Sequence, residues 1–307
     1  MIKPLEKINL EFEKNFQAIF NTPKLTQKYL NQRSDIFDEL IIDEFLKRKL
    51  ENDFAIVALG GYGRRELYPS SDIDLSIIQL TKKTKKIDDV KDFIGWLWTL
   101  KVKIGHSVRT IKDIDKITKS DLKEFTSYLS NRVIYCHKNN INDLNQNLKK
   151  ISSNWNKTKF FNAKKLEQQR RYQSFDSTEF SLEPDLKESP GCLRDFQTAL
   201  WVLEHCFEIE KLEDCIKIKL FKKIEIKNVK KSYDHIKSLR YILNLNNHSN
   251  RISFENQLLL AKKSKLKSSK KSSAVEKFMR TFFLHASNLS DFNELVFQAY
   301  EDQLTIL

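Results

Sequence analysis

The 307-residue sequence predicts an α+β fold: a small mixed sheet with its helices first, and an all-α helical bundle second. Three observations carry this. Six glycines and five prolines are few for this length, which favours helices over turn-rich β structure. The apolar spacing changes from helical to strand-like near residue 54, and does so again in two later segments. After Lys112 the spacing is helical almost to the end.

Taken in order, residues 5–51 show helical periodicity. In SDIFDELIIDEFLKRKLE, Phe37, Leu40, Ile41 and Phe45 share one face, with Ser34 as the N-cap and Asp35 at the positive helix end. FAIVAL (54–59) is a β-branched run that stops at glycines, so it is a buried strand. GGYGRREL fits a tight turn into a short helix, broken by Pro69 and two serines. DIDLSIIQL (72–80) is the second strand, and TKKTKK (81–86) the turn after it. An amphipathic helix then carries Phe93, Ile94, Leu97 and Trp98, and VKIGHSVRT (102–110) is the third strand. Helices are expected over 121–136, 143–151, 158–172, 192–209, 213–225, 229–243, 254–262 and 273–302. SLEPDLKESPG (181–191), with two prolines and a glycine, and the Lys/Ser run KKSKLKSSKKSS (262–273) interrupt them. No internal repeat is present. The domain change falls near residue 150, giving parts 1–150 and 151–307.

Composition narrows the function classes. The net charge is +13, but lysines spread over helical faces form a solvated surface, and nucleic-acid binding is not expected. The four cysteines show neither CxxC spacing nor zinc-type His pairing, which fits free thiols in a reducing compartment. The N-terminus, MIKPLEKINLEFEK, lacks the apolar core of a signal peptide. No apolar run approaches the ~18 residues that a membrane span needs. A cytoplasmic protein with no membrane partner is expected.

The chemistry concentrates in LGGYGRRELYPSSDIDL (59–75). Three of the six glycines, Gly60, Gly61 and Gly63, fall within four residues. Strand alternation puts Asp72 and Asp74 on one face with Ile73 turned to the core. Two adjacent carboxylates repel unless a positive charge lies between them, and a divalent cation such as Mg²⁺ is the natural occupant. Gly60 and Gly61 let the backbone approach a polyphosphate, the following helix offers free N–H groups, and Arg64 and Arg65 are available to phosphate oxygens. A lone DxD is weak; Asp113 and Asp115 in IKDIDK form another, expected to be a capped helix start. A strand, GG, ten residues and a DxD on a second strand is more specific. The pattern lacks the GK[ST] of a P-loop and the third glycine of a dinucleotide-binding turn. The six histidines show no HxxxH or HD pairing and are expected to be surface or packing residues. Arg170 and Arg171 are expected on a solvated helix face.

This stretch resembles the nucleotidyltransferase motif of the bacterial [protein-PII] uridylyltransferases, members of the DNA polymerase β-like superfamily. The resemblance continues through WTLKVKIGHSVRT (98–110), LEPDLKESPGCLRDFQTALW (182–201), AVEKFMRTFF (274–283) and RSDIFDEL (33–40). It implies a polymerase β-like nucleotidyltransferase domain over 1–150 and a helical substrate- and nucleotide-binding domain over 151–307. It also implies transfer of UMP from UTP to a tyrosine of the PII signalling protein, with release of pyrophosphate. By it Asp72 and Asp74 are catalytic and bind Mg²⁺. Gly60, Gly61, Gly63, Arg64, Ser71, Arg109, Lys187 and Arg194 are nucleotide-binding, with Asp195 orienting the arginine. The third carboxylate that the superfamily usually places on a later strand is missing from VKIGHSVRT, where His106 or Ser107 faces that position. Cys192 replaces the second glycine of the family's PGG, which would be strained if that glycine needed positive φ. Full-length family members carry a phosphohydrolase domain and two ligand-sensing domains beyond this segment; a self-standing protein and a fragment of a longer one both fit. A catalytically silent nucleotide- or PII-binding module and a transferase with another acceptor are the alternatives.

Overall fold

The computed structural model describes residues 2–81, 84–174 and 181–306. In chain order its elements are α1 (Ile2–Lys14), α2 (Phe16–Asn21), α3 (Thr26–Lys47), β1 (Phe54–Ala58), α4 (Gly60–Gly63) and β2 (Ile73–Gln79). Next come α5 (Ile87–Trp98), β3 (Ile104–Thr110), α6 (Ile111–Thr118), α7 (Leu122–Leu129), β4 (Arg132–Tyr135) and α8 (Ile141–Ile151). The rest is helical: α9 (Lys157–Ser174), α10 (Leu193–Phe207), α11 (Asp214–Lys217), α12 (Lys223–Asn247), α13 (Phe254–Lys263) and α14 (Ala274–Ile306).

The chain divides into two compact units. One is built on residues 28–156 with the first turns of α1, the other on residues 157–306 with residues 9–27. The sequence reading grouped residues 9–27 with the first part; their aromatic rings pack with the second. Phe12 stacks on Tyr241 at 3.9 Å and Phe20 meets His235 edge-on at 4.9 Å.

The first unit is a four-stranded mixed sheet in the order β3-β2-β1-β4. β1 is antiparallel to β2 and β4, and β2 is parallel to β3, with α5 as the crossover. One face, with Ile56 and Ala58 of β1 and Ile73, Leu75 and Ile77 of β2, packs on Phe37, Ile41 and Phe45 of α3 and Phe93 and Leu97 of α5. The other, with Ala55, Val57 and Ile78, packs on Ile114, Tyr128 and Leu144 of α6–α8. Both faces are covered, which is why β1 is a continuous apolar run rather than an alternating one. In the second unit α10, α12 and α14 form the core, with Phe196 stacked on Tyr233 at 3.9 Å and in contact with Phe292.

Several expectations are corrected. Ser34 is not an N-cap: α3 starts at Thr26, and the buried Ser34 hydroxyl donates to the Leu30 carbonyl one turn back. The helix expected over 121–136 ends at Leu129, and RVIY becomes β4 because β1 offers its free edge there. The helix expected over 213–225 breaks after Lys217, where Lys219 takes a left-handed φ of 60°, and α12 starts at Lys223. Asp113 does cap a helix: it and Thr110 form a capping box at the start of α6. Of the turn expected over 81–86, Lys82 and Lys83 lie outside the described residues.

Candidate active site

The glycine turn follows β1 directly. Leu59 donates its N–H to the Asp74 carbonyl at 3.0 Å, which ties the end of β1 to the start of β2, and α4 begins at once. The first turn of a helix has no intrahelical acceptors for its N–H groups. Gly60 has φ +54°, a left-handed conformation that glycine adopts without cost. Asp72 and Asp74 are exposed on either side of buried Ile73, as strand alternation requires.

Parity along β2 puts Asp74 on the same face as Ser76 and Ile78, at an end of that face. Its carboxylate lies between two glycines. A Cβ on Gly60 would stand 3.6 Å from Asp74 Oδ2, and one on Gly105 would stand 2.6 Å from Asp74 Oδ1. Gly105 is the β3 residue in register with Asp74. Ser107, beside Ser76, is the next residue of β3 on this face, whereas His106 pairs with Leu75 and belongs to the opposite face. Among the described residues no group of three or more His, Cys, Asp or Glu is placed to hold a metal. The carboxylates at the turn are therefore two, and the β3 position beside one of them carries no side chain. This suits a hard, oxygen-seeking divalent cation that keeps several ligands from elsewhere.

The other predicted residues divide. Gly61 lies in the turn, where an added Cβ would meet the Glu66 carbonyl oxygen at an ordinary 3.7 Å. Gly63 is buried, and a Cβ there would fall 1.8 Å from the Ser130 carbonyl oxygen, so packing is what demands glycine at this position. Arg64 donates from Nε to Glu66 at 3.0 Å and from Nη1 to the Ser130 hydroxyl at 3.2 Å. The Ser71 hydroxyl accepts from the Tyr68 N–H at 3.2 Å and closes the bend that leads into Asp72. Arg109 is four residues along β3 from Gly105, about 13 Å, and donates both Nη groups to Glu124 at 2.7 and 3.1 Å. The structure thus brings Gly60, Gly61, Ser71, Asp72 and Asp74 into one neighbourhood and leaves Arg109 outside it.

A support that the sequence reading did not single out lies beneath the turn. The fully buried Tyr62 donates its hydroxyl to Asp38 of α3 at 2.6 Å. Arg132 of β4 donates to the same carboxylate at 2.6 and 3.1 Å, and its guanidinium lies 5.3 Å from the Tyr62 ring centre. Arg65, at φ +57°, pairs with Asp35 and reaches Asp38 at 3.7 Å. Burial, then the Asp38 charge, holds the Tyr62 phenol well above its usual range, so it stays a donor. The signals were present: Tyr62 stands inside the glycine motif, Asp38 inside RSDIFDEL, and Gly105 is a glycine within a strand.

Lys187 and Arg194 belong to the second unit, where they form a cluster of their own. Glu188 lies between them, 3.3 Å from each nearest nitrogen, and burial followed by the Arg194 charge pulls the Lys187 amine down. Asp195 does not orient Arg194. It is fully buried and accepts from Arg171, from the Tyr172 hydroxyl at 2.6 Å and from the Gly191 N–H at 2.6 Å. Arg171 is therefore tied to a buried carboxylate rather than solvated on its helix. Cys192 has φ −105°, an extended conformation any residue adopts, so the substitution in PGC carries no backbone strain. Gly191, at φ +70°, is the glycine that this turn requires. The rings of His235 and His285, 50 residues apart in sequence, lie 4.2 Å apart and tilted at 34° inside the second unit.

Comparison with known proteins agrees with the motifs. Residues 159–297 match the family described as GlnD PII-uridylyltransferase. A bifunctional uridylyltransferase/uridylyl-removing enzyme of Haemophilus influenzae is 32% identical over 280 residues, covering 90% of this chain and 32% of the relative. The chain is a relative of the PII uridylyltransferases. Proteins described in the same words from Nitrosococcus oceani and Pseudomonas aeruginosa are 30% and 28% identical over 95% and 98% of this chain. The chain spans about a third of the length of these relatives, 32–34%. No helix among the described residues is long and apolar enough to cross a membrane.

Proposed function

We propose that this chain is a nucleotidyltransferase of the polymerase β-like kind that transfers UMP from UTP to a tyrosine hydroxyl of a PII signalling protein. The observation that carries the reading is the Asp74 carboxylate seated between Gly60 and Gly105, with exposed Asp72 beside it at the mouth of the glycine turn. Asp72 and Asp74 would hold Mg²⁺. Bound there, Mg²⁺ supplies positive charge that neutralises phosphate oxygens. The glycine turn lets the main chain approach the polyphosphate, and Ser71 fixes the bend that presents Asp72. Asp38, Tyr62 and Arg132 hold the turn rigid, so that little reorganisation is needed as charge develops. In the reaction the acceptor oxygen forms a bond to the α-phosphorus as the bond to the bridging α–β oxygen breaks. Pyrophosphate leaves, and the hydroxyl proton passes to solvent. The names of the relatives and the motif support uridylyl transfer.

The test is intact-mass spectrometry of a PII protein after incubation with this chain, Mg²⁺ and each nucleoside triphosphate in turn. A uridylyl gain from UTP that is lost with Asp74→Asn is expected. An undiminished gain with Asp74→Asn would overturn the assignment of the site. No gain from any nucleotide with folded protein would favour a binding module.

A further inference from the structure

Gly105 lies on β3, an edge strand, in register with Asp74. A glycine inside a strand gives up side-chain packing and adds chain entropy to the unfolded state, so it calls for a reason. Backbone conformation is not that reason: Gly60 and Gly191 are the glycines with positive φ, and Gly105 is not among them. Space is. A Cβ on Gly105 would stand 2.6 Å from Asp74 Oδ1 and 3.8 Å from its Cγ, with no other contact within 4 Å among the described residues. On the far side of the same carboxylate stands Gly60.

We propose that Gly105 is a positioning residue for Asp74. Its missing side chain keeps clear the place the carboxylate occupies between β3 and Gly60, and so sets the direction in which its oxygens face a bound cation. The same register explains why β3 supplies no third carboxylate beside Asp74: the position next to it has to stay empty, and the next residue on that face, Ser107, sits beside Ser76. The inference rests on the reading of Asp72 and Asp74 as cation ligands, and its test separates the two.

Gly105→Ala is the discriminating variant because the group it displaces is the free end of a side chain, which turns aside without moving the backbone. Gly95→Ala, at an exposed position of α5 where a Cβ meets nothing within 4 Å, is the control. Mn²⁺ binding to the full chain is followed by electron paramagnetic resonance, with thermal unfolding in parallel. Gly105→Ala is expected to melt no earlier than the wild type, as the control does, but to bind Mn²⁺ about tenfold or more weakly, the size typical of misplaced ligand support. Wild-type Mn²⁺ binding by Gly105→Ala, where Asp74→Asn has lost it, overturns the positioning role alone. A Gly105→Ala chain that melts much earlier also overturns it, since the glycine would then serve the fold. Wild-type binding by Asp74→Asn removes the ligand reading, and the positioning role with it.

Discussion

Replacing Tyr62 by Phe takes one oxygen from beneath the glycine turn and asks whether that turn is held from below. The hydroxyl is fully buried and donates at 2.6 Å to Asp38, which also receives two bonds from Arg132. A hydrogen bond to a charged acceptor is worth about 1.5–3 kcal/mol. Asp38 keeps Arg132 in the variant, so no uncompensated charge is left and the lower half of that range applies. Asp38→Ala is a harsher change, because it strips the partner from both the phenol and the guanidinium. With the Asp38 side chain 12% exposed and that of Arg132 19%, a loss of about 3 kcal/mol is expected, the low end for breaking a buried pair. The two changes share one bond, so the double variant should fall short of their sum by about 1–2 kcal/mol. Urea unfolding gives these differences, and steady-state kinetics with UTP give the functional effect. If the turn cradles phosphate as proposed, loss of its support should raise the KM for UTP more than it lowers kcat. Tyr62→Phe within about 0.5 kcal/mol of wild type, with an unchanged KM, would refute the idea that Asp38 organises the turn.

Two further outcomes follow from the second unit. Gly191→Ala should cost about 2–5 kcal/mol, from positive φ and overpacking together, since a Cβ there falls 2.4 Å from the Ala286 carbonyl oxygen at φ +70°. In urea unfolding, a Gly191→Ala chain as stable as wild type would contradict the placement of the strain at 191. Acid should weaken this unit through its buried histidines. Burial, then the Lys231 charge, pushes His285 down to about 4, and burial, then His285, pushes His235 well below its usual range, with Nε2 left without a hydrogen-bond partner. Both are neutral in the fold and protonated in the unfolded chain below about pH 6.5. Their stabilisation is therefore full above 6.5 and is lost as pH falls toward 4, up to about 2 kcal/mol per histidine by pH 5. Glu204, pushed up to about 7 by burial and Glu210, works in the opposite direction, so the informative quantity is wild type minus His285→Gln. That difference should shrink by about 2 kcal/mol between pH 7 and 5; a difference that does not change with pH would contradict the reasoning.

How much of this was legible in the sequence depended on distance along the chain. The glycine turn and both carboxylates lie within 17 residues, and the strand–turn–strand that holds them is set by local spacing, so the turn at Gly60 and the exposure of Asp72 and Asp74 could be placed in advance. The supports could not. Asp38 meets Tyr62 across 24 residues and Arg132 across 94, and Gly105 meets Asp74 only through the parallel register of β2 and β3. β4 was hidden for a related reason. RVIY is only four residues long and follows α7 after a two-residue turn, so it extends a helical pattern until the open edge of β1 claims it. Arg109 shows the same limit: only the register places it at the far end of β3 from Gly105, where it pairs with Glu124.

The glycines make the point most sharply, because a sequence gives them one letter and the structure gives them separate reasons. Gly60 is required by its backbone conformation, Gly63 by the Ser130 carbonyl against it, and Gly105 by the Asp74 side chain beside it. A methyl group added at Gly63 collides with main chain that has nowhere to go, whereas one added at Gly105 displaces only a carboxylate. The first substitution is therefore expected to act on folding and the second on the proposed chemistry. Gly63, the third glycine of the motif, thus has a packing reason to be glycine. Gly105, 31 residues from Asp74 and outside the motif, belongs to the site.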